Sequence, residues 1–270
     1  HATIKAQKLR RRWLDYLAGR NYWITYLEFY NPDQASIKHQ CQFEWARYSR
    51  YSGAEKETAL ESAKALWNVG KSQPKECDKL FSLLVSRKKI TEPLAWQRFN
   101  KALLNHQYVL ARYVQKFLKS NQYKQLAKHY YNVDRDPQLI GQFSEFNHHS
   151  PEELSIIEHG LVHLARKNSH AALQYWSHYQ QTHEFSHETR SAIVSAIIKG
   201  LYKQQFNRIA DAYFVDHLQL LNQTTSGTMT EWRIRQALQE RDWLAVQRWI
   251  QRLPKSKKES TAWRYWAIRS

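Results

Sequence analysis

Residues 150–168 read SPEELSIIEHGLVHLARKN, and the stretch carries the marks of a single helix. Ser150 is a good N-cap, Pro151 takes the first helical position, and Glu153, three residues after the cap, completes a capping box. Leu154, Ile157, Leu161 and Leu164 then recur at ~100° per residue as one apolar stripe. The same grammar extends outward. Ser52 heads SGAEKETALESAKALWNVG, with Glu55 at the third helical position and Gly70 just past the end. Thr91, Glu92 and Pro93 open another helix. Such signals predict roughly sixteen short helices joined by short links. No period-two strand pattern interrupts them. Only 7 glycines and 6 prolines are present, which leaves little material for β-hairpins. The class is all-α.

A loose two-helix unit recurs at LAGRNY (17–22), LLNHQY (103–108), LARKNS (164–169) and LQERDW (238–243). In each, a leucine and four mostly polar residues precede the residue that opens a second helix. The intervals are irregular, unlike the fixed period of tetratricopeptide arrays. A degenerate α-solenoid of stacked helix pairs is predicted, one domain over residues 1–270, since no Pro-, Gly- or Ser-rich linker divides the chain. Gln223–Thr228 and Pro254–Lys258 are the expected flexible links.

With 41 Lys and Arg against 24 Asp and Glu, the net charge is +17. Polyanionic partners are expected. Nucleic acid is one such class, and the Trp263, Arg264, Tyr265, Trp266 run could stack on bases, but no nucleic-acid motif accompanies it. No run of roughly 18 apolar residues occurs, so no membrane-spanning helix is predicted. The chain opens HATIKAQKLRRRWLDYL, inside or just before a helix, and closes at TAWRYWAIRS, inside another. We read it as a piece of something larger.

The two cysteines are Cys41 and Cys77, 36 residues apart, with the predicted helix Ala54–Val69 between them. Helices flanking a third in such a stack can lie adjacent, so contact is sterically open. Two separate buried thiols fit the residues equally well, because a disulfide also needs an oxidising compartment.

Around Cys77 the chain reads LWNVGKSQPKECDKLF (66–81), which resembles a signature of the soluble lytic murein transglycosylases, periplasmic enzymes that cleave bacterial peptidoglycan. The likeness continues through RRRWLDYLAGRNYWITYLEFY (10–30), CQFEWARYSRYSGAEKETALESAKALW (41–67), RIRQALQERDWLAVQRWIQRLP (233–254) and KESTAWRYWAI (258–268). Residues 119–230 match only in helical character. The resemblance implies an N-terminal α-superhelix that carries linker and lysozyme-like catalytic domains elsewhere, a Cys41–Cys77 disulfide, and a periplasmic location. It also implies an enzyme that breaks the MurNAc–GlcNAc β-1,4 bond by attack of the muramyl 6-hydroxyl, leaving a 1,6-anhydro product.

The resemblance implies a single catalytic glutamate followed by serine, and the chemistry needs one carboxylic acid in a poorly solvated groove. Glu61-Ser62 fits only superficially, mid-helix and without a glycine-rich companion, and no catalytic residue is assigned. The segment is expected to position glycan strands, or to dock its own linker and catalytic domains or other cell-wall proteins. Candidate glycan contacts are Trp67, Lys71, Trp263, Arg264, Tyr265 and Trp266. The alternative is a basic solenoid binding RNA or proteins. Among 13 histidines, His159 and His163 sit four apart on one helix and could share a metal. They fall opposite the apolar stripe, are expected to be exposed, and have no further ligand at fixed spacing. Neither metal nor cofactor is assigned.

Overall fold

The computed structural model describes residues 4–270; His1 to Thr3, where the chain approaches its first expected helix, lie outside the described residues. Every regular element among the described residues is helical. The chain divides into two compact units, the first ending at Ala127 and the second starting at Lys128.

The first unit holds α1 (Ile4–Gly19), α2 (Trp23–Phe29), α3 (Ile37–Arg50), α4 (Ala54–Trp67), α5 (Asp78–Ser86), α6 (Glu92–Leu104), α7 (Tyr108–Gln115) and the start of α8 (Asn121–Arg135). Here α2 packs on α1 and α3, α4 on α3, and α5 reaches past α4 to α3. Leu14, Leu17, Ala18 and Tyr26 form one buried cluster, capped by Trp23, Tyr30 and Phe43. The second unit continues through α9 (Pro151–Lys167), α10 (Ser169–Thr182), α11 (His187–Lys203), α12 (Asn207–Asp216), α13 (Gln223–Glu240), α14 (Trp243–Ile250), α15 (Lys255–Lys258) and α16 (Thr261–Arg269). There α9 contacts both α10 and α11, α11 contacts α12 and α13, and α14 contacts α13 and α16. Contacts between a helix, its successor and the one after that are the stacking of an α-solenoid.

Several local readings hold. The Ser150 hydroxyl accepts from the Glu153 N–H at 3.1 Å, and the Thr91 hydroxyl accepts from Leu94 N–H. Ile157, Leu161 and Leu164 are buried, while Leu154 is half-buried. The Ser52 start is displaced by one residue. Gly53 is the cap of α4, with φ of 59° and no side-chain acceptor, a conformation a glycine tolerates and a serine resists.

Three of the four repeated turns, and two further ones, share a geometry that this chain builds without glycine. Asn21, Lys88, His106, Gln205 and Arg241 each adopt a left-handed φ between 53° and 64°. In each case the next residue's N–H bonds five residues back: Tyr22 to Leu17, Lys89 to Leu84, Gln107 to Ala102, Phe206 to Leu201 and Asp242 to Ala237, all at 2.8 or 2.9 Å. These are Schellman turns, which close a helix by giving its last carbonyls a donor. Glycine is the usual residue at the left-handed position, but this chain places larger residues in all five. The LARKNS turn differs: Asn168 stays at φ −146° and its side chain caps α10 by accepting from Ala171 N–H. A third party holds that turn. Gln204 Oε1 accepts from Ser169 N–H and from its hydroxyl, while Gln204 Nε2 donates to the carbonyls of Ala165 and Arg166. One amide thus satisfies the end of α9 and the start of α10 together.

No helix among the described residues is long and apolar enough to cross a membrane.

Candidate functional site

The LWNVGKSQPKECDKLF stretch builds one wall of a cleft. After α4 ends at Trp67, Gly70 lies against α6 so closely that a Cβ there would stand 2.3 Å from the Lys101 carbonyl. Lys101 Nζ donates to Asn68 O, and Gln73 Nε2 reaches back to Leu66 O. Pro74 leads into a 3-10 turn, Lys75–Cys77, which runs directly into α5. Cys77 and Cys41 are bonded, both fully buried, with Cα atoms 5.0 Å apart. The bridge joins α3 to the entry of α5 around the intervening α4. Beside it, Lys38 pairs with Asp15 at 3.0 Å and with Glu76 at 3.3 Å. The buried His39 bonds Asp15 at 2.9 Å through Nε2 and Ser36 at 2.9 Å through Nδ1. That Ser–His–Asp line serves the fold, because the Ser36 hydroxyl is the N-cap of α3.

Next to this stapled region α5, α6 and α7 leave a cleft of about 820 Å³, within the first unit. Phe81, Tyr113 and Phe117 line it, with Asp78, Ser72 and Ser82. Arg98 lies at its inner side, 3 % exposed. Its guanidinium carbon stands 4.5 Å from the Trp67 ring centre and 5.8 Å from that of Phe81. Burial among these rings pushes the guanidinium down to about 10.

The sequence-derived glycan candidates separate. Trp67 is 1 % exposed; Arg98 covers one face of its ring and Phe117 meets it edge-on at 5.8 Å, so it offers no open face to a sugar. Lys71 is exposed and stands apart from the cleft lining. On α16, Trp263 is 7 % exposed, with Nε1 donating to Glu231 at 3.3 Å and Arg235 over its ring. It is a packing residue, drawn inward because α16 must bury one face. Arg264 and Tyr265 are exposed, and Trp266 is half-buried against the edge of Tyr265. Arg98 escaped the sequence reading. An arginine in an amphipathic helix looks like a solvated residue, and only tertiary packing shows that no carboxylate among the described residues pairs with it.

Glu61 is exposed and pairs with Lys64 at 2.7 Å, a solvated setting unlike the groove a catalytic acid requires.

The histidine pair corrects an expectation. His159 is only 9 % exposed, because the Tyr130 ring lies tilted against it at 4.9 Å and Asp134 bonds its Nε2 at 2.9 Å. His163 is half-buried. The end of α8, which the apolar stripe could not locate, covers the side of α9 expected to face water. Asp134, His159 and His163 bring ligand atoms within 4.8 Å of one another. A His–His–carboxylate set has the donor chemistry of zinc and related divalent ions. The same Asp134–His159 bond also accounts for the ring's orientation without an ion.

No protein-family model matches the chain. It is 26% identical to the soluble lytic murein transglycosylase of Salmonella typhimurium over 262 residues, and 27% identical to that of Escherichia coli over 267. Each match covers 97% of this chain and 39% of the relative. The chain therefore spans about two fifths of the length of the curated relatives it matches. Among solved structures, the lytic transglycosylase Slt of Pseudomonas aeruginosa, determined as an inactive mutant, superposes with a TM-score of 0.76 at 27% identity, over 97% of this chain and 41% of that one. The fold is also that of a 70-kDa soluble lytic transglycosylase solved in complex with bulgecin A, with a TM-score of 0.73 at 22% identity, covering 98% of this chain and 42% of that one. Along nearly its whole length, and in fold as well as sequence, the chain is similar to the soluble lytic murein transglycosylases.

Proposed function

We propose that this chain is the non-catalytic helical scaffold of a periplasmic lytic transglycosylase, working as one domain over residues 1–270. The complete enzyme would cleave the MurNAc–GlcNAc β-1,4 bond of peptidoglycan and leave a 1,6-anhydro product. The scaffold would position glycan strands for its own linker and catalytic domains, and could dock other cell-wall proteins. The supporting observation is a likeness that runs through 97% of this chain while covering 39% of the relatives. A net charge of +17 suits a partner whose stem peptides carry free carboxylates. The test is co-sedimentation of the purified, oxidised chain with peptidoglycan sacculi at physiological salt. Pelleting with sacculi is the expected result. Failure to pellet, with RNA binding whose logarithm falls steeply with log salt, would sink the reading in favour of a basic RNA-binding solenoid.

A further inference from the structure

Two arginines of this chain are buried to the same degree, each 3 % exposed, and they meet opposite fates. Arg233 donates through Nε and Nη2 to the two carboxylate oxygens of Asp211, at 2.9 and 3.2 Å, and Glu240 lies 3.5 Å from its Nη1. The hydrogen bonds and charges of these carboxylates hold its pKa above the ordinary arginine value, although burial alone would lower it. Arg98 lies against aromatic rings, its Nε has no hydrogen-bond partner, and no carboxylate raises its pKa. Burying a guanidinium in this way is costly unless an anion answers it, and arginine is the side chain whose planar fork matches a carboxylate.

The cleft supplies room for that anion. Phe81, Tyr113 and Phe117 offer apolar and aromatic contact, and Ser72 and Ser82 add polar residues to the lining. Asp78, exposed and also in the lining, supplies a negative charge of its own. A purely acidic protein segment would meet Asp78 unfavourably. A ligand carrying both a carboxylate and an ammonium would find a partner for each, and a volume of about 820 Å³ suits a short peptide.

We propose that the cleft over Arg98 is a carboxylate-binding site, and that it takes the free carboxylate of a peptidoglycan stem peptide. The assignment rests on the scaffold reading above. It names the stem peptide as the group this part of the scaffold holds.

Calorimetric titration of the chain with a soluble disaccharide-tetrapeptide tests it, alongside the same compound with its carboxylates amidated. The native ligand is expected to bind, and the amidated one to bind at least about tenfold more weakly, as loss of a charge-assisted hydrogen bond predicts. Arg98→Met should lose binding by a similar factor while melting at the same temperature or higher, since it removes an unanswered buried charge. Arg98→Lys, which keeps the charge, should retain part of the binding. Equal affinity for the amidated ligand overturns the proposal even if Arg98→Met fails to fold. Unchanged binding by a folded Arg98→Met variant overturns it as well. Tighter binding of an unrelated acidic peptide than of the disaccharide-tetrapeptide overturns the choice of ligand. Sedimentation separates the two levels. Sacculus binding by the unmutated chain without measurable binding of the disaccharide-tetrapeptide sinks the cleft alone, whereas no sacculus binding at all sinks the scaffold reading beneath it.

Discussion

Gly200 of α11 rests on the carbonyl of Ala165 in α9, so close that a Cβ at position 200 would stand 2.1 Å from that oxygen and 2.9 Å from the Ser169 side chain. Neither obstacle is a flexible chain end, so the two helices would have to separate. Gly200→Ala is expected to destabilise the chain by about 2 kcal/mol, overpacking outweighing the roughly 1 kcal/mol of helix propensity that alanine gains over glycine. Gly19 meets nothing within 4 Å of its added Cβ, and Gly19→Ala serves as the control with little or no loss. Urea unfolding midpoints of the two variants check the contrast.

The Cys41–Cys77 bridge closes a loop of 36 residues. On the loop-entropy account it should contribute about 3–4 kcal/mol to the stability of the first unit. Cys41→Ala with Cys77→Ala, or reduction of the unaltered chain, is expected to shift the urea midpoint downward by the corresponding amount. Equal midpoints with and without reductant would show that the packing of α3 on α5 needs no staple.

The left-handed residue of each Schellman turn should respond to glycine in the opposite sense from a helix interior. Arg241 sits at φ 58° and is exposed. Arg241→Gly relieves about 1–2 kcal/mol of backbone strain and returns part of it as unfolded-state entropy. A net gain of roughly 0.5–1 kcal/mol is expected. Arg241→Val, β-branched at a positive φ, should lose stability. Denaturation midpoints that rank valine above glycine would contradict the turn assignment.

His183 gives the second unit a pH dependence of known sign. Burial depresses its pKa, His149 beside it acts in the same direction, and Glu153 and the Phe146 carbonyl oppose them. With the folded pKa below the ordinary 6.5, the unfolded chain takes the proton first as pH falls. The stability this residue contributes is therefore complete above about pH 6.5 and declines below it, until the folded histidine also protonates. Melting temperatures measured from about pH 8 down to about pH 5 should fall across that window. In His183→Asn the decline should be smaller; an identical decline would place its origin elsewhere.

What could be read in the chain was what its local chemistry determines. Ser150 and Thr91 cap their helices as their neighbours dictate, and the helical period of the apolar residues carries the all-α class. Gly53 displaced the Ser52 start because a residue able to adopt positive φ lay one step further on. Two of the five Schellman turns, Leu84–Lys89 and Leu201–Phe206, stayed hidden because such a turn constrains backbone dihedrals and leaves the side chains free to differ. His159 and Arg98 mark the limit in another way. The first is covered by Asp134 and Tyr130 from a different helix, and the second is defined by the carboxylates that fail to reach it. Both are properties of the packing between helices, which spacing along one helix does not encode.

A turn built on glycine presents only backbone to the solvent. Asn21, Lys88, His106, Gln205 and Arg241 are all exposed, so each of these five turns also displays a functional group. Such corners can change their chemistry, from amide to ammonium to imidazole to guanidinium, without altering the path of the backbone. The stop signals of the fold thereby double as sites at which surface specificity can be rewritten one residue at a time.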